Sequence, residues 1–466
     1  MFYAFDNRYM ITASVRRDGY SAFGQNHPHA TFPSVALAWN FANEKFMGSA
    51  ADWWNTGKLR FSWGKNGNRD LRDSNGQPDP YRALADLTSG LDQTMNYLDA
   101  NGNVTGDFKY LMMNRMANPN LEWEKTEAYN VGLDFGFLNN RISGSIDWYY
   151  KKTDGMIMAQ RLPQFTGFSS ITTNLGQVDN TGIELSLNSV NITNNVLEWT
   201  TNLTVSYNKN TIKHLYYEHD LVVNPDGTIT DNGEKDDSGN NWFIGKPINT
   251  IWDYEVEGIW QIDEADQAAL VGQKPGDPKV RNVYTDDDKI LEDGTRVPVY
   301  NDNDKTFQGQ TNPPVYLSMR NDFNLWKDFL ISFSFYSYIG HKSRDGAYLN
   351  GDNGGDLITN GMNTYYKEYW TPENPSNTYG RLGAVGPTGA TGVNRLLNRS
   401  FLRLADLTFG YTLPQKWTRK AAMEKVRFTF GIRNLFTISH KDWVYGDPET
   451  GGLGVRSFNL GVNVSF

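Results

Sequence analysis

The densest group of chemistry-bearing side chains is acidic: TDDDKILEDG at 285–294, then YNDNDK at 300–305. Asp286, Asp288, Asp293, Asp302 and Asp304 put hard carboxylate oxygens at near-alternate positions, a pattern that suits Ca²⁺. Lys289 stands where a calcium loop carries the glycine of its sharp turn, so a solvated acidic loop is the competing reading. Aromatic residues form a second group: Trp242, Trp252, Tyr254 and Trp260 in one polar stretch, Tyr365 and Tyr366 in another. Such rings stack on the C–H faces of sugars; equally, they pack loops together or line a protein interface. Six histidines complete the inventory, with His27 and His29 two apart and no third ligand near them in sequence. No nucleophile elbow, zinc-protease pair or phosphate-binding loop is present. These residues predict binding rather than catalysis.

The elements that must carry them are strands. The chain has 466 residues, no cysteine and a formal charge of −9, which speaks against a nucleic-acid partner. Mean hydropathy is −0.58, yet 14% of residues are aromatic, more than an ordinary core requires. No run approaches the roughly 18 apolar residues of a membrane helix. Period-two alternation recurs instead, for example Leu59/Phe61/Trp63 against Arg60/Ser62/Gly64. Other such runs include 9–15, 35–41, 129–137, 142–150, 183–187, 197–207, 315–325, 329–335, 407–413, 426–432 and 458–466. The connections fall into two classes. Residues 138–140, 190–195, 326–328 and 414–424 are short, and only 43–56 on that side is longer. The others run over 19–30, 67–121, 154–176, 210–312, 342–398 and 438–455. Short turns on one face and long loops on the other are the asymmetry of an outer-membrane barrel, and a β-sandwich has no reason to sort its loops so.

Several stretches resemble the SusC/RagA-type TonB-dependent outer-membrane transporters of Bacteroidota. The most specific is NPNLEWEKTEAYNVGLDFGFLNNRISGSIDWYYKKTDGMI at 118–157. RYMITASVRRDGYSAFG at 8–24, NLGQVDNTGIELSLNS at 174–189, EYWTPENPSNTYGRL at 368–382, NRSFLRLADLTFGYTLPQKW at 398–417 and RNLFTISHKDWVYGDPE at 433–449 follow in a consistent order. The resemblance implies an all-β, antiparallel transmembrane barrel of about 22 strands around an N-terminal plug. It further implies coupling to a TonB complex, a SusD-type surface lipoprotein as partner, and an oligosaccharide or peptide as cargo.

On that reading, residues 1–466 are about twelve C-terminal strands of such a barrel, embedded in outer-membrane lipid. The export signal, TonB box, plug and earlier strands are not among them, and Phe5–Arg8 is a periplasmic turn met mid-barrel. Apolar-parity residues such as Leu133 face lipid. Arg16, Arg60, Asp134, Asp147, Arg320 and Asp322, on the polar parity, are expected to form ion pairs that anchor a plug. The alternatives are an autonomous barrel enzyme and a soluble glycan-binding sandwich.

Overall fold

The computed structural model describes residues 1–72, 76–345, 368–388 and 393–466. Thirteen strands follow one another as neighbours in a single antiparallel order. They are β1 (Phe2–Phe5), β2 (Tyr9–Gly19), β3 (His29–Asn40), β4 (Trp54–Asn68), β5 (Glu124–Phe137), β6 (Ile142–Arg161) and β7 (Ser170–Thr193). The order continues with β8 (Leu197–His214), β9 (Val315–Leu325), β10 (Phe329–Ile339), β11 (Phe401–Thr412), β12 (Lys425–Ser439) and β13 (Ser457–Ser465). The chain divides into two compact units, one of Met1–Asn191 with Asn202–Ile248, the other of Ile192–Thr201 with Asn249–Phe466.

All twelve alternating runs are strands of this order, and β1 is the short stub that precedes the Phe5–Arg8 turn. The tight turns share one device. Asp6 and Asn7, Leu138 to Asn140, and Trp326 and Lys327 all have φ between 50 and 64°. Left-handed residues at a hairpin tip match its twist to that of the flanking strands, here even where the residue is Leu or Trp.

The expected loop at 154–176 is mostly strand, since β6 runs to Arg161 and β7 starts at Ser170, leaving only 162–169. Gly155 (φ +62°) and Gly176 (φ +75°) interrupt the pairing between Asp154↔Gln177 and Met156↔Leu175. The alternation breaks there although the hydrogen bonding resumes. Likewise, the 67–121 connection holds the hairpin of Asp86–Leu98 with Val104–Arg115. The 210–312 connection carries short pairs such as His219–Val223 with Ile229–Glu234, and Thr250–Tyr254 with Lys305–Gln310.

Burial is inverted relative to a soluble sandwich. On the strands' apolar parity, Ile183, Ile146 and Trp148 are 52%, 44% and 43% exposed. The buried clusters lie elsewhere. In the first unit, Phe23, Phe32, Leu71, Leu121 and Trp123 pack beside the long connections. In the second, Tyr254, Ile259, Val280, Trp370 and Val393 do the same.

Aromatic rings bound the bare band of the first unit. On the short-turn side, Trp53 and Trp54 pack on Phe137 at 5.8 and 5.3 Å, and Phe41 meets Trp54 edge-on. A bulge lies between Trp54 and Thr56, and Trp54 pairs in register with Phe137, its ring tilted by 51° against that of Phe137. On the long-loop side, Trp63 Nε1 and the Tyr129 hydroxyl both donate to Glu127, and Tyr150 donates to Asp179. From Tyr129 to Phe137 the strand rises about 27 Å, or roughly 21 Å along the membrane normal at a ~40° tilt. That is close to the ~25 Å apolar band of outer-membrane barrels, with rings at each boundary as interfacial aromatics require.

Candidate functional site

The polar parity of the strands gathers the charges. Arg60 on β4 reaches two acids on successive strands, Asp134 on β5 at 2.7 Å and Asp147 on β6 at 3.0 Å. It can do so because Arg60, Gly132 and Asp147 are successive partners across the three strands. A Cβ at Gly132 would stand 2.4 Å from an Asp147 oxygen and 2.6 Å from the guanidinium, so any side chain here would displace the ends of Arg60 and Asp147 from their present pairing. Arg320 forks onto Asp322, and Arg16 pairs with Asp18. The six charges expected to hold a plug are thus paired within the strands.

A second charged centre was not foreseen. Arg403 on β11 is 4% exposed and holds Asp447 at 2.6 Å and Glu449 at 3.0 Å. Tyr336 of β10 donates to Glu449, and Arg399 donates to the carbonyls of Pro448 and Glu449. The connection between β12 and β13 is thereby clamped onto the polar side of β10 and β11. Burial alone would raise the Asp447 pKa, but hydrogen bonds from Arg403 and from the Glu449 and Thr450 amides hold it below the usual carboxylate range. The sequence hid this clamp: Arg403 shares the odd parity of Leu407 and Phe409, a bulge between Leu404 and Asp406 brings it to the polar face, and Asp447 and Glu449 lie over 40 residues away.

The candidate binding aromatics are distributed over both units. Trp242, in the first, packs against the cluster of Met158, Val178, Ile212 and Leu215. Beside it the Tyr216 hydroxyl donates to Asp237, and burial with that bond pushes the tyrosine pKa up to about 12. In the second unit Tyr254 and Trp260 are each 6% exposed. Trp260 Nε1 donates to Gln273 while Lys279 covers its ring at 4.6 Å. Lys305 lies 4.8 Å from Trp252 and 5.4 Å from Tyr254. The ring faces of Tyr254 and Trp260 are therefore taken by the loop's own packing, and Trp252 keeps only part of its surface. Tyr365 and Tyr366 lie outside the described residues.

The acidic residues organise the same loop. Asp304 is fully buried and accepts from the amides of Val283, Tyr284 and Asn301. Asp288 accepts from Asn282 and the Val299 amide, Asp293 from the Thr295 amide, and Asp302 pairs with Lys305. Asp286 is exposed. Among the described residues, no three acidic or imidazole groups converge in a metal-sized cluster.

A polar cleft of about 780 Å³ opens among the first unit's connections, lined by Asp79, Arg82, Asp86, Arg115 and the 167–170 hairpin tip. Arg115 spans it, bonded to Asp79 and to the carbonyls of Tyr81 and Leu84.

The chain is similar to known proteins in sequence and in fold. The family described as TonB dependent receptor-like, beta-barrel matches residues 2–435. TonB-dependent receptor P3 of Formosa agariphila is 29% identical over all of this chain and 44% of its own length. TonB-dependent receptor SusC of Bacteroides thetaiotaomicron is 32% identical over 54% of this chain and 24% of its own length. A solved structure of the RagAB peptide transporter superposes over the whole chain with a TM-score of 0.71 and 26% identity, covering 47% of that protein. The chain spans a little under half the length of the relatives it matches throughout.

Proposed function

The chain belongs to the TonB-dependent receptor-like β-barrel family, and we propose that it is the C-terminal barrel portion of an energised outer-membrane importer of oligomeric nutrients. None of its described helices is long and apolar enough to cross a membrane; it is an outer-membrane protein that crosses with strands. Its relatives are receptors and transporters rather than enzymes.

The observation that carries the proposal is the sorting of the strand faces. The apolar parity is bare and bounded by aromatics, while the polar parity holds the Arg60 and Arg403 networks. A wall with lipid on one side and a wet, charged lumen on the other is what an import barrel needs. In this reading the short turns lie in the periplasm and the long connections at the cell surface. There a SusD-type lipoprotein docks over the mouth, and a TonB complex supplies energy through the part of the transporter that precedes these strands. The cargo is an oligosaccharide or a peptide, the latter being what the RagAB protein is described as carrying.

The test is uptake of labelled oligosaccharides and peptides by cells with and without the gene. Uptake of one class should need the gene and should stop when the inner-membrane proton gradient is collapsed. Gene-dependent uptake that survives the collapse would make the protein a passive pore.

A further inference from the structure

The turn between β11 and β12 is basic in an acidic protein. Lys416, Arg419 and Lys420 lie in a helical turn over 415–421, and Lys425 opens β12. All four are exposed, and none forms an ion pair with an acid among the described residues. The turn is internally fixed: buried Thr418 donates to the carbonyls of Gln415 and Glu424, and the Met423 amide returns to Thr418. Trp417 is 52% exposed, with Lys416 5.8 Å from its ring. The neighbouring turn adds Lys327, also exposed and without an acidic partner, and the Thr412 amide bonds to the Asp328 carbonyl between the two turns.

Next to this edge, on the apolar parity of β10 to β13, is a groove of about 410 Å³. Two rows of paired residues form it. Phe329, Tyr411 and Phe428 are the row nearer the turns, and Phe409, Phe430 and Leu460 belong to the next. Trp326 closes the turn end, 6.3 Å from Phe329, whose ring stacks on Tyr411 at 4.4 Å. Tyr411 lies three residues before Pro414, and Phe428 three after Lys425. The basic turn and the mouth of the groove are therefore at the same membrane boundary.

We propose that turn and groove together bind one anionic glycerophospholipid of the periplasmic leaflet. The groove takes an acyl chain, and Lys416, Arg419 and Lys420 hold the phosphate. The groove alone would accept any lipid tail. It is the unpaired cationic cluster at its mouth that selects an anionic headgroup, and Trp417 and Trp326 sit where interfacial rings are favoured. The assignment to the periplasmic leaflet rests on the orientation proposed above.

The experiment uses the full-length protein in mild detergent with equal amounts of phosphatidylglycerol and phosphatidylcholine of matched chains. Retained lipid is read by native mass spectrometry. The protein should keep phosphatidylglycerol in preference by about tenfold, and the K416Q/R419Q/K420Q variant should lose that preference. Heat-modifiable electrophoretic mobility confirms that the variant is a folded barrel. L460W, which fills the groove, should lower retention of both lipids. Equal retention by the unaltered protein, an undiminished preference in the triple variant, or displacement of the lipid by sodium phosphate would overturn the proposal. So would selection of lipopolysaccharide over phosphatidylglycerol. A wrong orientation shows independently in the labelling experiment described in the Discussion.

Discussion

Gly132 and Leu133 are adjacent on β5, and each faces a different medium. Gly132 leaves room for the Arg60 guanidinium between Asp134 and Asp147. Leu133 pairs with Leu59 and Ile146 on the face that meets lipid. Leu133→Arg should therefore cost about 2–4 kcal/mol of barrel stability, while Asn130→Arg on the polar parity should cost much less. Urea titration of the assembled protein in lipid vesicles distinguishes the two, and equal losses would contradict the sorting of faces. His341 makes a pH prediction. Its ring is buried, Nδ1 has no hydrogen-bond partner, and burial with the nearby Arg399 charge pushes its pKa down to about 4. An unfolded histidine titrates near 6.5. As pH falls from 6.5 towards 4, the unfolded segment takes up a proton that the folded one refuses, so stability declines through that window and is fully retained above it. The loss should reach up to about 3 kcal/mol, read as faster hydrogen exchange in 341–345 and 395–400 at pH 4.5 than at pH 7 after correction for intrinsic rates. His341→Leu should abolish the difference.

Strands and tight turns were legible because alternation and turn chemistry are local. Leu59/Phe61/Trp63 names a face without reference to any other residue, and NN before Arg141 marks a hairpin tip. The extension of β6 and β7 was not legible, because Gly155 and Gly176 break the alternation at the point where pairing continues. The fate of the loop aromatics was hidden for a different reason. Trp260 is chemically the same whether its face meets a sugar or Lys279, and only the fold brings Gln273 to its Nε1. The same holds for Asp304, whose three amide donors come from two separate segments. Sorting of turns from long connections gives the element-scale prediction. Cysteine at Asn195, in the short turn between β7 and β8, should react with an impermeant maleimide only from the periplasmic side. Cysteine at Asp226, on the exposed tip between His219–Val223 and Ile229–Glu234, should react on intact cells. Reaction of Asn195 alone on intact cells would reverse the orientation, and reaction of both would contradict the sorting of turns from long connections.

At the scale of the whole molecule, the decisive quantities are coverage and edges. The chain corresponds to 44% of one relative that it matches along its full length and 47% of the RagAB transporter. In the strand order β1 and β13 stand at opposite ends, and β1 pairs with β2 over only four residues. A long strand edge with unpaired backbone groups is unstable in lipid, where no water can satisfy them, and in water it pairs with other chains. In that order β13 pairs with β12 on one side, and Phe458, Leu460 and Val462 on it are bare. Under the proposed function, the transporter's preceding strands are the partners that β1 and β13 require. Residues 1–466, exported alone behind an added signal, should accordingly yield little heat-modifiable barrel and no energised uptake. Produced together with a separately encoded half bearing the preceding strands, plug and TonB box, the same residues should assemble and restore uptake, while neither half does so alone. Uptake by residues 1–466 by themselves would show that these strands close and are gated without help, and the proposed dependence on a preceding half would be wrong.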